Sequence, residues 1–231
     1  MAASLNAAKQ VERQHESAPR IVGDPFDRAT GIGITVTAVP GQTIVVEGDP
    51  IDGWFRIASG TVRLSKSTPD GRRQVIDFLI VGESFGISSE RCYGYSVEAI
   101  ARTTLVRYSR AKLEAAIEAH PELARRLFGM ACAELQRARQ HLLLLGRKSA
   151  DEKIASFLLT LAERLGVRGA RLDVVQLPMS RQDMADYLGL TIETVSRTLT
   201  RLRRDGLISL PTPQHVVLLQ IGRLHDLAEG G

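Results

Sequence analysis

Cysteine is nearly missing from this chain of 231 residues, with Cys92 and Cys132 as its two examples. Two thiols so far apart in sequence exclude a disulfide framework or a cysteine-rich metal knuckle, and they suit a reducing compartment. No apolar run approaches the ~18 residues of a membrane helix, and the first twenty residues are polar rather than signal-like. A cytoplasmic protein with no membrane partner is therefore expected. No G-x-S-x-G, phosphate loop, zinc motif or Cys/His pair at useful spacing occurs, so neither an enzyme nor a metal is expected. Asp77, Glu83 and Glu98 are scattered acids, expected to be solvated. A large charge of one sign is absent too, since 30 basic against 26 acidic residues leave only +4, so any anionic partner must be argued from local placement. What the chain does have is length and 44 % hydrophobic residues, enough for two domains that fold without staples.

The most informative stretch runs from Leu177 to Asp205 and reads as two short helices hinged on a glycine. Met184, Leu188 and Leu190 mark the apolar side of the first helix and the turn, and Val195, Leu199 and Leu202 recur at helical spacing through the second. Ala185 is small where the helices would touch. Gly189 can take the positive φ that reversing the chain requires, and Thr191 caps the second helix. Opposite the apolar stripe stand Glu193, Ser196, Arg197, Thr200, Arg201 and Arg204. A DNA major groove admits one helix whose first turns reach base edges, so discriminating side chains must lie early and point outward. Glu193 and Arg197 meet both conditions: Arg197 can pair with guanine O6 and N7, and Glu193 can accept from cytosine N4. Ser196 suits a base or a phosphate. Ser180, Arg181, Thr191, Thr194, Thr200, Arg201 and Arg204 are the candidate contacts to the DNA backbone, the clustered cations being what phosphate neutralisation uses. A solvated helix end, its arginines favoured by the dipole, explains the last of these equally well. An ordinary i,i+4 surface pair of Glu193 and Arg197 explains neither Gly189 nor the preceding helix. Gly206 to Leu210, a Pro211-Thr-Pro-Gln turn and His215 to Leu219 then read as a hairpin, which makes the unit a winged helix. Its tip carries no Lys or Arg and should add little affinity.

Upstream the pattern changes. Residues 1–24 lack a sustained apolar stripe and read as a loose arm. Residues 25–119 hold short apolar stretches at Thr43–Val46, Trp54–Ile57, Thr61–Leu64, Val75–Ile80 and Thr103–Tyr108, with turns at the regular spacing of a β-roll, and end in a helix over Ala111–Ala119. Residues 120–146 form a long helix opened by Pro121. Leu127, Met130, Leu135, Ala138, Leu142 and Leu145 keep one face apolar; that seam could cover the roll, but a coiled-coil-like homodimer contact is the more economical reading. Residues 147–231, with a helix over Ile154–Leu165, complete a winged helix-turn-helix domain. The fold class is α+β.

With roll, long helix and winged helix in that order, the chain resembles the CRP/FNR family of bacterial transcription regulators over about residues 25–227. In the roll, Gly41, Gly48, Trp54-Phe-Arg-Ile-Ala-Ser-Gly60 and Gly82-Glu-Ser-Phe-Gly86 are similar to the glycine-punctuated pattern of cyclic-nucleotide-binding domains. Three departures narrow the resemblance. Cyclic-nucleotide binders in this family place an Arg followed by Ser or Thr about ten residues after the pocket glutamate, because a bare phosphate needs a bidentate cation; counting from Glu83, this chain has Tyr93-Gly94, with Arg91 out of register. Oxygen-sensing members hold an iron–sulfur cluster with N-terminal cysteines, and residues 1–91 contain none. Ile192 precedes Glu193 where the cyclic-AMP regulators carry an arginine. Leu177-Pro-Met, Asp186-Tyr-Leu-Gly-Leu-Thr and Glu193-Thr-Val-Ser-Arg197 look like the FixK branch. That resemblance implies a cofactor-free regulator, usually an activator, that binds a palindromic TTGA-type site as a homodimer, contacts RNA polymerase, and controls genes for microaerobic or anaerobic respiration or nitrogen metabolism. Its activity would be set by synthesis and turnover or by an upstream two-component system.

The competing reading is an effector-gated regulator of the same architecture, with an unidentified small ligand in the roll or a haem on His120 or His141. Lone helical histidines are ordinary surface or core residues far more often than ligands. A redox switch at Cys92 would draw on nearby Arg91, whereas Cys132, between Ala131 and Ala133, reads as a small buried residue.

Overall fold

Glycine-punctuated runs of β-branched and aromatic residues fold into two antiparallel sheets in the N-terminal half of the computed structural model, which describes residues 33–88, 90–166 and 173–230. The arm read over residues 1–24 lies outside them. One sheet orders β1 (Ile34–Ala38), β8 (Thr103–Ser109), β3 (Gly53–Ser59) and β6 (Ser84–Phe85); the other orders β2 (Thr43–Val45), β7 (Ser96–Ala99), β4 (Thr61–Ser67) and β5 (Arg73–Ile80). Alternation drives their closure. Phe55 and Ile57 on β3, Val62 and Leu64 on β4, Val97 on β7 and Leu105 on β8 turn inward to one core. Phe55 and Phe85 stack at 4.9 Å between ring centroids, which ties the short β6 to β3.

The outer side of β3 and β8 carries a second core. Trp54 and Tyr108 stack at 4.8 Å, and Leu123 and Leu127 from the long helix cover them. That helix, α2 (Pro121–Arg147), follows α1 (Arg110–Ala119) after the single residue His120. The described residues divide into two compact units within α2, one running through Ala133 and the other starting at Glu134.

In the second unit, α3 (Ala150–Gly166) opens with a reciprocal cap in which the Ser149 N–H donates to Glu152 Oε2 at 3.2 Å and the Glu152 N–H to Ser149 Oγ at 3.4 Å. α4 (Arg181–Leu188) and α5 (Ile192–Arg204) form the hinged pair, and both α4 and α3 pack on α5. β10 (Ile208–Thr212) and β11 (His215–Leu218) form the hairpin, with β9 (Val174–Gln176) on the far side of β11. A last helix, α6 (Ile221–Glu229), lies on α3. Among the described residues no helix is long and apolar enough to cross a membrane.

Three expectations are corrected. Glu83 is buried rather than solvated, its carboxylate accepting the Ile80 N–H at 3.0 Å to brace the β5–β6 turn. Glu98 is half-buried in an ion pair with Arg63 at 2.8 Å. Cys132 is exposed, because it sits on a side of α2 that the first unit does not cover.

Candidate DNA-binding site

The hinged pair is built from its caps inward. Ser180 caps α4: its Oγ accepts the Asp183 N–H at 3.0 Å and the Ser180 N–H donates back to Asp183 Oδ2 at 3.1 Å. Gly189 ends α4 at φ 61°, where a Cβ would stand 3.3 Å from Leu145 Cδ2, so its left-handed turn and the close approach both call for glycine. Thr191 caps α5, accepting the Thr194 N–H at 3.2 Å. Met184, Leu188, Val195, Leu199 and Leu202 are buried between the helices and their support, so α5 turns its other face outward.

That outward face holds the predicted readers. Glu193, Ser196 and Arg197 are all exposed on its first two turns. The Glu193 carboxyl is held below the usual carboxylate range by its own backbone N–H, then by the Thr191 hydroxyl, with Arg197 a lesser influence, so it is poised as an ionised acceptor. Arg197 makes no salt bridge among the described residues.

The predicted backbone residues divide differently. Thr191 and Thr194 are joined hydroxyl to hydroxyl at 3.0 Å near the N-terminus of α5, where helix N–H groups favour an anion. The Ser180 hydroxyl donates to Asp183 Oδ2 at 2.8 Å, and the Thr200 hydroxyl donates to the Ser196 carbonyl at 2.9 Å. Arg181 is half-buried, and burial draws its guanidinium below the ordinary arginine range; one end rests on Met184 Sδ and the other donates to the Pro213 carbonyl of the hairpin turn at 3.0 Å. Arg201 is paired with Asp151. Arg204 bonds its neighbour Asp205 at 3.0 Å and is largely exposed. Sequence reasoning missed Asp151, for which the chain offers no local signal because its partner lies 50 residues away.

The predicted dimer seam is split by the structure. Leu127 is 8 % exposed in the roll's second core, Met130 is partly buried beside it, and Leu145 turns toward Gly189. The reason lies in helix phase: Leu123, Leu127, Met130, His141 and Leu145 share one face of α2. About a quarter-turn further round, Ala124, Phe128, Ala131, Leu135, Ala138 and Leu142 form an exposed stripe at alternating four- and three-residue spacing. Phe128, Leu135 and Leu142 are 72 %, 51 % and 69 % exposed. Leu135, Ala138 and Leu142 of the predicted set lie on this exposed stripe, which also holds Phe128, a residue outside that set.

In the roll, the place expected of a phosphate-binding arginine holds a core residue. Tyr93 is buried against Phe85 and Leu105, and its hydroxyl donates to the Gly53 carbonyl at 3.0 Å. Gly86, at φ 94°, passes so close that a Cβ would meet that hydroxyl at 3.3 Å and the Gly53 oxygen at 2.6 Å. His120 pairs with Glu122 at 3.3 Å, while His141 stacks on Tyr187 with ring centroids 4.0 Å apart.

A β-roll joined by a long helix to a winged helix-turn-helix, with an acid and an arginine early on the exposed face of its second helix, defines a DNA-binding regulator. Residues 152–227 match the Crp-like helix-turn-helix domain and residues 35–120 the cyclic nucleotide-binding domain, and the chain belongs to the CRP/FNR family of transcription regulators. Within that family it is similar to the nitrogen fixation regulation protein FixK of Bradyrhizobium diazoefficiens, at 45 % identity over 78 % of this chain and 76 % of the relative. FixK of Azorhizobium caulinodans is 44 % identical over 87 % of this chain and 88 % of its own length. The solved structure of FixK2 from Bradyrhizobium japonicum superposes with a TM-score of 0.79 at 38 % identity, covering 85 % of this chain and 97 % of that one.

Proposed function

We propose that this regulator acts as a FixK-type activator: a homodimer closed along the exposed α2 stripe, reading a two-fold symmetric TTGA-type site with Glu193, Ser196 and Arg197, and recruiting RNA polymerase to genes of low-oxygen respiration or nitrogen metabolism. The carrying observation is the exposure of those three side chains on the first two turns of a capped helix whose opposite face is buried. One such helix spans only a few base pairs, so useful specificity calls for two copies on a palindrome. A continuous apolar stripe of alternating large and small residues is suited to a close parallel helix pair. The filled position at Tyr93 argues against gating by a cyclic nucleotide, since a ligand must favour one state to shift the equilibrium. Selection of bound duplexes from a random DNA pool by the purified protein tests the reading. Recovery of a palindrome with TTGA-like half-sites supports it; recovery of unpaired half-sites bound by a monomer refutes it.

A further inference from the structure

We propose that Asp151 is a positioning residue that withholds Arg201 from the DNA backbone and so lowers affinity for DNA of any sequence. The inference rests on the DNA-reading role given to α5. Arg201 stands one turn beyond Arg197 on the same helix face, where a phosphate clamp would be useful. Its guanidinium donates instead to Asp151 Oδ1 and, at 3.5 Å, to Thr198 Oγ1, whose residue is 1 % exposed. Asp151 is in turn anchored, for it lies in the first turn of α3, fixed by the Ser149–Glu152 cap and favoured there by the helix dipole. The acid thus belongs to a helix that packs directly on α5.

The two side chains are 47 % and 29 % exposed, and a pair this open adds little to stability. Its consequence is electrostatic. Every cation that neutralises a phosphate strengthens binding to any sequence and steepens the salt dependence, whereas base contacts discriminate. Occupying Arg201 internally removes one cation per protomer from the sequence-blind contribution and leaves Glu193, Ser196 and Arg197 untouched. Affinity for every duplex falls by a similar factor, and the salt dependence of binding becomes shallower.

The test compares the full chain with Asp151→Asn, Arg201→Ala and the double variant, each checked by thermal melting. Each is titrated against a duplex carrying the selected site and a random duplex of equal length at several salt concentrations. Asp151→Asn should bind the random duplex several-fold tighter at low salt, with a slope of log affinity against log salt steeper by about 0.9 per protomer. Its affinity for the selected site should rise by a similar factor, leaving the preference unchanged, and adding Arg201→Ala should reverse the gain in affinity and the steeper slope. The proposal is overturned if Asp151→Asn matches the parent. It is equally overturned if Arg201→Ala alone flattens the slope by about 0.9 per protomer, which would assign Arg201 to a phosphate. Failure of the underlying DNA-reading role has its own signature, a parent protein with no preference for any duplex, and that too would overturn the proposal.

Discussion

Arg197 and Glu193 carry different kinds of chemistry, and substitution should separate them. Arg197→Ala removes a bidentate donor and should cost ~1 to 3 kcal/mol of discrimination at one base pair in each half-site. Glu193→Ala should relax a neighbouring position instead. Titration against single-base variants of the selected site reads both, and a loss uniform across all variants for Arg197→Ala would demote it to a phosphate contact. His141 offers a pH test of the second unit. Burial, and after it the charge of Lys153, pushes its imidazole down to about 4 from an ordinary 6.5. The folded value lies below the unfolded one, so the unfolded chain takes up the proton first as pH falls. The contribution is complete above about pH 6.5 and is lost progressively toward about pH 4. His141→Phe keeps a ring against Tyr187 without a titrating group, so its melting temperature should fall less than the parent's across that window; an equally steep fall would place the acid sensitivity elsewhere.

At the scale of elements, the two faces of α2 should respond differently. Leu127→Ala opens a cavity over Trp54 and Tyr108 and should destabilise the first unit by about 2 to 5 kcal/mol. Leu135→Glu and Leu142→Glu alter exposed positions, so the fold should survive while sedimentation shifts from dimer to monomer and DNA affinity drops. Unchanged sedimentation for both would mean that this stripe is not the dimer contact. The same helix marks how far sequence reading reaches. Its length and Pro121 start are local properties and were legible, but which leucines face inward depends on Trp54 and Tyr108, more than a dozen residues upstream. The hinged pair was read nearly residue by residue because Gly189 and Thr191 announce its turn and second helix locally, whereas the Ser180 cap of the first helix went unread. β6 (two residues) and β9 (three residues) carry too few side chains to display an alternation, and both exist through pairing with distant strands. α6 escaped notice because Gln220 supplies no side-chain cap and only Leu224 and Ala228 are buried along it.

For the whole molecule, Tyr93 and the lack of N-terminal cysteines predict indifference to two familiar signals. Cyclic AMP added to the aerobically purified protein should produce no binding heat and no change in DNA affinity, and an iron chelator should leave that affinity unaltered. A tenfold rise with the nucleotide would mean that the roll accommodates it around Tyr93 after all. The open stripe of Phe128, Leu135 and Leu142 then bears on dosage. If one protomer's seam is completed only by another's, the population of paired molecules at low abundance grows as the square of the number of chains made. Doubling expression would roughly quadruple promoter occupancy, and dilution at cell division would extinguish it just as steeply, so the rate of synthesis itself becomes the message.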